Sequence, residues 1–348
     1  MTQTFFAANY ADGGLCNRFS DILAPYDHRF IIKGGAGYGK STCLRALSRA
    51  LTAEGYGVMH LACASDPDSL DGLLCPALSV AAIDGTPPHV VEPRCPGVVD
   101  CVIDLYAALQ PQKLTATRED FLALEKDIKT HHQFAAAHVQ IAADCTRKAH
   151  AIQQLDASAI ALTARELYAR IADRAGETTF ADAQTANLSA VTPRGLMGWW
   201  DNLAQTPMVF VLEGGGAAGH GVLARLAQRA AHDGLARRLC PDPLLPEQWQ
   251  AVFFPEAGVA VVAEQADLAL PHGCSRHVLC ADALATPPDG EWLARREASI
   301  AAAVGEMARA KQAHDRLEAL YRPAIDFAIV ERAAQGMIEQ VLSLGELP

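Results

Sequence analysis

Four residues with the spacing of a phosphate site stand near the start of the chain. In FIIKGGAGYGKST, residues 30–42, Gly34, Gly39, Lys40 and Ser41 form the pattern G-x-x-x-x-G-K-[ST]. Each type has a physical reason. Glycines let successive backbone N–H groups curl around anionic oxygens, a lysine reaches the outer phosphates, and a serine hydroxyl is a hard-oxygen ligand for Mg2+. The spacing therefore predicts a triphosphate cradle made of Gly34, Gly35, Ala36, Gly37, Tyr38, Gly39, Lys40, Ser41 and Thr42. ATP with Mg2+ is the expected ligand, and Lys40 is a candidate catalytic residue.

The rest of such a site needs carboxylates. Asp84 closes an apolar run, Leu78 to Ile83, and an acid at the carboxyl end of a strand downstream of a phosphate loop is placed to meet the Mg2+ shell. Ser41 and Asp84 are the predicted metal ligands. Asp66, Asp68 and Asp71 cluster in ASDPDSLDG, residues 64–72. They suit turn and N-cap positions, and they equally suit orienting a water or a substrate hydroxyl.

These residues need a scaffold. Before the loop runs an apolar strand, and after it KSTCLRALSRALTAEG carries Leu44, Leu47 and Leu51 at helical spacing, stopping at Glu54-Gly55. A second strand is expected at Val58 to Ala62. Strand, loop and helix in this order predict an α/β core with a mainly parallel sheet.

The core has an echo. Residues 21–50 set against 201–230 without gaps share Asp21/Asp201, Leu23/Leu203, Ala24/Ala204, Phe30/Phe210, Gly34/Gly214, Gly35/Gly215, Gly39/Gly219, Arg45/Arg225, Arg49/Arg229 and Ala50/Ala230. These ten identities exceed the roughly two expected from composition. With the offset reduced by one, Gly55 meets Gly234, Pro76 meets Pro255, and Val80-Ala81 meet Val259-Ala260. An internal duplication is the natural reading. In the second copy His220 replaces Lys40, Gly221 replaces Ser41, Ala263 replaces Asp84, and Glu213 stands where Lys33 precedes the first loop. That copy should keep the fold and lack the chemistry.

Helical segments follow each core, at about 113–174 and about 291–344, with Pro323 placed to open the last helix. The expected organisation is an active domain at 1–175 and a degenerate one at 176–348, each with a helical arm, joined by a polar seam at 175–195. The two halves could pack as an intrachain pseudo-dimer, which would let Arg225 or Arg276 reach the first site. His131, His132, His138 and His150 lie along the first arm and read as solvated helix histidines, not a metal set.

Bulk properties narrow the class. A net charge of −11 argues against nucleic acid as a partner, and MTQTFFAANY lacks the marks of a signal peptide. No apolar run approaches the length of a membrane span, so a cytoplasmic location is expected. Ten cysteines without a C-x-x-C pair suggest reduced, mostly buried thiols.

KGGAGYGKST, SDPDSLDG and a strand ending in DGTPPH, in this order, resemble a bacterial family of tandem P-loop ATP-binding proteins, mostly uncharacterised ATPases. TPRGL at 192–196 is similar to that family's lead-in to its second loop. The resemblance implies two P-loop NTPase-like cores, ATP on Gly34 to Thr42, and a site lined by Asp66 to Gly72 and Asp84 to His89. Tyr38 departs from the more usual Thr, and the second loop, often intact in such proteins, is altered here. Three functions fit: an ATP hydrolase that drives or gates movement of the arms, a small-molecule or nucleotide kinase, and a nucleotide-gated module whose arms dock an unidentified protein partner.

Overall fold

A computed structural model describes residues 2–176, 183–213, 216–264, 268, 275–280 and 285–346. In chain order the first half carries β1 (Thr2–Phe6), β2 (Ala8–Ala11), β3 (Gly14–Asn17), α1 (Phe19–Leu23), β4 (His28–Lys33), α2 (Lys40–Ala53), β5 (Val58–Ala62), β6 (Leu70–Cys75), β7 (Val80–Asp84), β8 (Asp100–Asp104), α3 (Arg118–Ala151) and α4 (Ala157–Ala175). The second half carries β9 (Ala183–Thr185), β10 (Ser189–Thr192), β11 (Gly195–Gly198), β12 (Met208–Glu213), α5 (Ala217–His232), β13 (Arg237–Pro241), β14 (Trp249–Phe254), β15 (Val259–Ala263), β16 (Ser275–Cys280), α6 (Gly290–Tyr321) and α7 (Phe327–Ser343).

The protein is mixed α/β, with two mainly parallel six-stranded sheets. The first runs β1-β5-β6-β7-β4-β8 and the second β16-β12-β15-β14-β13-β9. Read from its β9 edge, the second sheet repeats the first strand for strand. In each, three pairs are parallel (β1/β5, β4/β7 and β4/β8; β9/β13, β12/β15 and β12/β16). In each, the third strand is antiparallel to both neighbours. Even the register irregularity recurs, between Leu61 and Ala62 in one sheet and between Cys240 and Pro241 in the other. β6 is a strand that the acidic composition of 64–72 hides, and β1 adds a parallel edge strand from the N-terminal stretch.

The helices divide between the sheets differently from a cut at 175/176. One compact unit comprises Met1–Ala8, Asn17–Ala135 and Gly305–Pro348; the other comprises Asn9–Cys16 and Ala136–Val304. In the first, α2 and α7 cover the sheet, burying Leu44, Leu47 and Leu51 with Phe30, Ile32, Leu73, Val330, Met337 and Val341. In the second, α4 and α5 do so through Ile160, Leu167, Ile171, Leu223 and Leu226 over Phe210, Val252 and Phe254. Each half's last helix thus packs on the other half's sheet. The reason is length. A helix of 34 residues such as α3 rises about 51 Å, so its two ends are served by different cores, and the short turn into α4 keeps that helix where α3 ends. α6, with 32 residues, makes the return.

Several local expectations need correction. Pro323 lies in a 3-10 turn, Arg322–Ala324, and α7 opens later with Asp326 capping Ala328 N. Asp156 caps α4 in the same way through Ser158 N and Ala159 N. The seam at 175–195 is not a linker where it is described: β9 joins the second sheet, and Ser189, Ala190, Val191 and Thr192 are buried. The arm histidines are not simply solvated. His131 bonds Glu306 at 2.7 Å, while burial above all, then neighbouring histidines, pushes both His132 and His150 down to about 4. Eight described cysteines are free thiols, four of them buried. No helix among the described residues is long and apolar enough to cross a membrane.

Candidate functional site

The glycine-rich loop lies at the carboxyl end of β4 and turns straight into α2. Gly37 and Gly39 have φ of 76° and 83°, the left-handed region that glycine adopts without strain, and Gly39 is the N-cap of α2. Gly35 is required for a different reason: a Cβ there would come within 2.8 Å of the Tyr38 ring. Tyr38 is only 2% exposed and sits edge-on between Tyr106 and Tyr321, with centroids at 5.7 and 5.9 Å. Burial above all, then those two phenols, pushes its hydroxyl up to about 12. The unusual tyrosine is therefore the floor of the loop, and Gly34 and Gly35 lie against it.

Lys40 folds back over the loop. Its Nζ donates to Gly34 O and Gly35 O at 2.8 Å each and lies 3.5 Å from Asp84 Oδ2. Ser41 Oγ accepts from Leu70 N at 2.9 Å, and Thr42 is exposed. Asp84 comes from β7, where strand pairing sets it beside Ile32. Its other oxygen accepts from Thr86 N at 2.9 Å. Burial raises the Asp84 pKa, opposed first by Lys40.

The three acids of 64–72 separate once folded. Asp66 pairs with Lys311 of α6 at 3.5 Å. Asp68 offers its carbonyl to Arg45. Asp71, 6% exposed, points inward: Oδ2 lies 3.4 Å from His89 Nε2, and its charge adds to the forces raising the Asp84 pKa. Burial first, then Asp71, drives the neighbouring Cys63 thiol upward.

Sequence reading missed two contributors. Lys33 Nζ donates to Gly85 O, Val91 O and Glu92 Oε1 at 3.0, 2.8 and 2.7 Å, pinning the segment after Asp84. From α6, Glu318 Oε1 accepts from Gly37 N at 3.2 Å, while Leu317 and Tyr321 form an apolar cluster against which Ala36 packs. Nothing in the local sequence of α6 signals this. A glutamate on a long helix is ordinary, and only the chain's return to the first sheet brings it to the loop.

The corresponding place in the second unit holds different groups. Gly214 and Gly215 lie outside the described residues. Gly216 caps α5, and Gln153 Oε1 accepts from Ala217 N at 3.1 Å, so close to Gly216 that a Cβ there would meet it at 2.8 Å. His220 Nδ1 donates to Trp249 O at 2.9 Å, with its Nε2 3.9 Å from Asp242. Gly221 packs beside Ile160, and Ala263 pairs with Leu212 as Asp84 pairs with Ile32. Glu213 is ion-paired with Arg276, and Arg225 bonds Gly221 O on its own helix. The first unit thus gathers a lysine, a hydroxyl, a half-buried carboxylate and left-handed glycines around one loop, a donor set chemically suited to a polyphosphate and a hard divalent cation. Among its described residues, the second does not. No family model, curated protein or solved structure matches the chain.

Proposed function

We propose that the chain is a Mg-ATP-binding P-loop NTPase that hydrolyses ATP in its first unit, and that the second core is a duplicated, degenerate repeat. The observation that carries this reading is the convergence of Lys40, Ser41 and Asp84 on the glycine loop at the carboxyl end of β4. The loop amides and Lys40 bind the phosphates, and Ser41 and Asp84 are the oxygens for Mg2+. When bound between Ser41 and Asp84, Mg2+ would supply charge neutralisation for the phosphates. The identical strand order of the two sheets supports the duplication, as does the matched pairing of Asp84 and Ala263. The resemblance to tandem bacterial ATPases points the same way, and a cytoplasmic protein remains the expectation.

Coupling to the helices is supported by α6. Through Glu318 on the Gly37 amide and Lys311 on Asp66, it touches both the loop and the acidic segment. Nucleotide in the loop would have to displace or rearrange these contacts, which gives ATP a means to drive or gate the helical elements and any protein that docks on them.

One observation favours the kinase alternative. A carboxylate directly after Asp84 would suit water activation, but Gly85 is jammed: a Cβ there would come within 2.4 Å of Ile31. Activation must come from another residue, or the acceptor is a substrate hydroxyl.

Equilibrium binding of ATP with Mg2+ tests the reading. Lys40→Ala is expected to weaken binding by about a hundredfold or more, consistent with loss of a charged phosphate contact of about 3 kcal/mol. His220→Ala should leave it within twofold. Equal losses in both variants would overturn the asymmetry between the units.

A further inference from the structure

We propose that Tyr106 and Phe327, with Arg322 as donor, form the platform on which the purine base of the bound nucleotide stacks, an assignment that rests on reading the glycine loop of the first unit as a phosphate site. Such a loop fixes only one end of ATP. The nucleoside end needs a surface of its own beside the loop, with an open aromatic face and a donor for the ring nitrogens.

Two segments of the first unit reach the loop and carry such groups. The first follows β8. Strand pairing sets Asp104 beside Lys33, and Leu105 N donates to Lys33 O at 2.8 Å, so the chain leaves β8 level with the start of the loop. Leu105 lies so close that a Cβ on Gly34 would stand 3.1 Å from its own. Asp104 Oδ1 then accepts from Tyr106 N at 2.8 Å, and the Tyr106 ring meets that of Tyr38 edge-on at 5.7 Å. The second segment runs from Arg322 into α7. A Cβ on Gly39 would lie 3.9 Å from Phe327 Cε1, and the Arg322 guanidinium lies over the same ring, 5.9 Å from its centroid.

Backbone pairing ties the two segments together. Gln110 N donates to Ala324 O and Asp326 N to Ala108 O, each at 2.8 Å, around an antiparallel bridge between Leu109 and Ile325. Gln110 Nε2 adds a bond to Asp326 Oδ2 at 3.3 Å. The rings carried on this frame adjoin successive loop residues, Tyr38 and Gly39, yet they are 52% and 37% exposed. A single exposed apolar side chain is ordinary on a protein surface. Two aromatic rings held by one backbone frame against consecutive residues of a phosphate loop are placed for the other half of the ligand. Arg322 is exposed, and its guanidinium has no hydrogen bond or ion pair among the described residues. Guanidinium planes stack on flat rings, and their fork of donors suits the acceptor nitrogen N7 of a purine.

Calorimetric titration of the full-length protein with Mg-ATP and, separately, with Mg-tripolyphosphate tests the platform, because tripolyphosphate keeps the phosphates and lacks the base. The variants are Tyr106→Ala, Phe327→Ala, Arg322→Gln and Phe327→Trp, with Phe134→Ala, which removes an exposed ring of α3, as control. Each is first checked for a native unfolding transition. ATP affinity should fall about fivefold to a hundredfold in Tyr106→Ala and in Phe327→Ala, the size of one lost base–aromatic stack. A smaller loss, about threefold, is expected for Arg322→Gln. Affinity for tripolyphosphate should stay within about twofold throughout. Phe327→Trp, which keeps a stacking face, should bind ATP like wild type, and Phe134→Ala should change neither ligand. ATP affinity that stays at the wild-type level in both ring-to-alanine variants, or that falls in step with tripolyphosphate affinity, overturns the platform and leaves the phosphate site standing. A wild type that binds neither ligand sinks the phosphate reading on which the platform rests.

Discussion

Gly35 shows how much of the loop is decided by one side chain. It is not in the left-handed region, so its lack of a Cβ matters only because the Tyr38 ring lies where that atom would be. Gly35→Ala is therefore an overpacking change, expected to cost about 1–3 kcal/mol in urea unfolding. In a Tyr38→Ala background the same substitution should cost little, because the obstructing ring is gone. Similar losses in both backgrounds would place the strain elsewhere. The glycines and lysine of this loop were legible in the sequence because their spacing is tied to a backbone shape. The role of Tyr38 was not, since an inward-turned aromatic in a loop leaves no periodic signal, and its partners Tyr106 and Tyr321 are distant in sequence.

At the scale of elements, α6 is the part that local sequence could least foresee. Its last turns bring Glu318 to Gly37 N and Lys311 to Asp66. The carboxylate occupies an amide of the loop and sets a negative charge where phosphates would bind, so the two compete. Glu318→Ala is expected to raise ATP affinity about threefold to tenfold, the size of one partly exposed hydrogen bond to a charged group. Unchanged or weaker binding by calorimetry would mean the contact does not oppose nucleotide. The strands tell a mixed story. β4, β5 and β7 were legible as apolar runs, whereas β6 begins inside SLDGLL, where the aspartate that turns inward, Asp71, reads as a turn residue. Its burial is part of the candidate site, and polar residues at such positions blur the apolar pattern.

At the scale of the molecule, two sheets of one topology exchange their covering helices, α7 going to the first and α4 to the second. Identities between residues 21–50 and 201–230 anticipated two sheets of like strand order; the exchange was not legible, because nothing within the sequence of α3 says which core receives its end. α3 also places one half-buried histidine in each unit. His132 lies near His314, His131 and His89, and His150 near His220, Asp242 and Arg296. Both are held neutral when folded, at about 4 against 6.5 in the unfolded chain. A histidine lowered on folding contributes stability that is full above pH 6.5 and is lost as pH falls from 6.5 towards 4, because the unfolded chain binds the proton first. Each shift corresponds to about 3 kcal/mol. Unfolding midpoints in urea should therefore drop steeply between pH 6.5 and 4.5. His132→Leu should flatten that fall for the first unit's transition and His150→Leu for the second's; an unaltered fall in both would refute the linkage.

The central claim is that the first unit cleaves ATP at the loop carrying Lys40. Purified protein incubated with γ-labelled Mg-ATP, with no acceptor added and Lys40→Ala in parallel, tests it most directly. The account predicts steady release of label as free phosphate by the wild type and none above background by Lys40→Ala. Label retained on ATP by both proteins, or released equally by both, would contradict it.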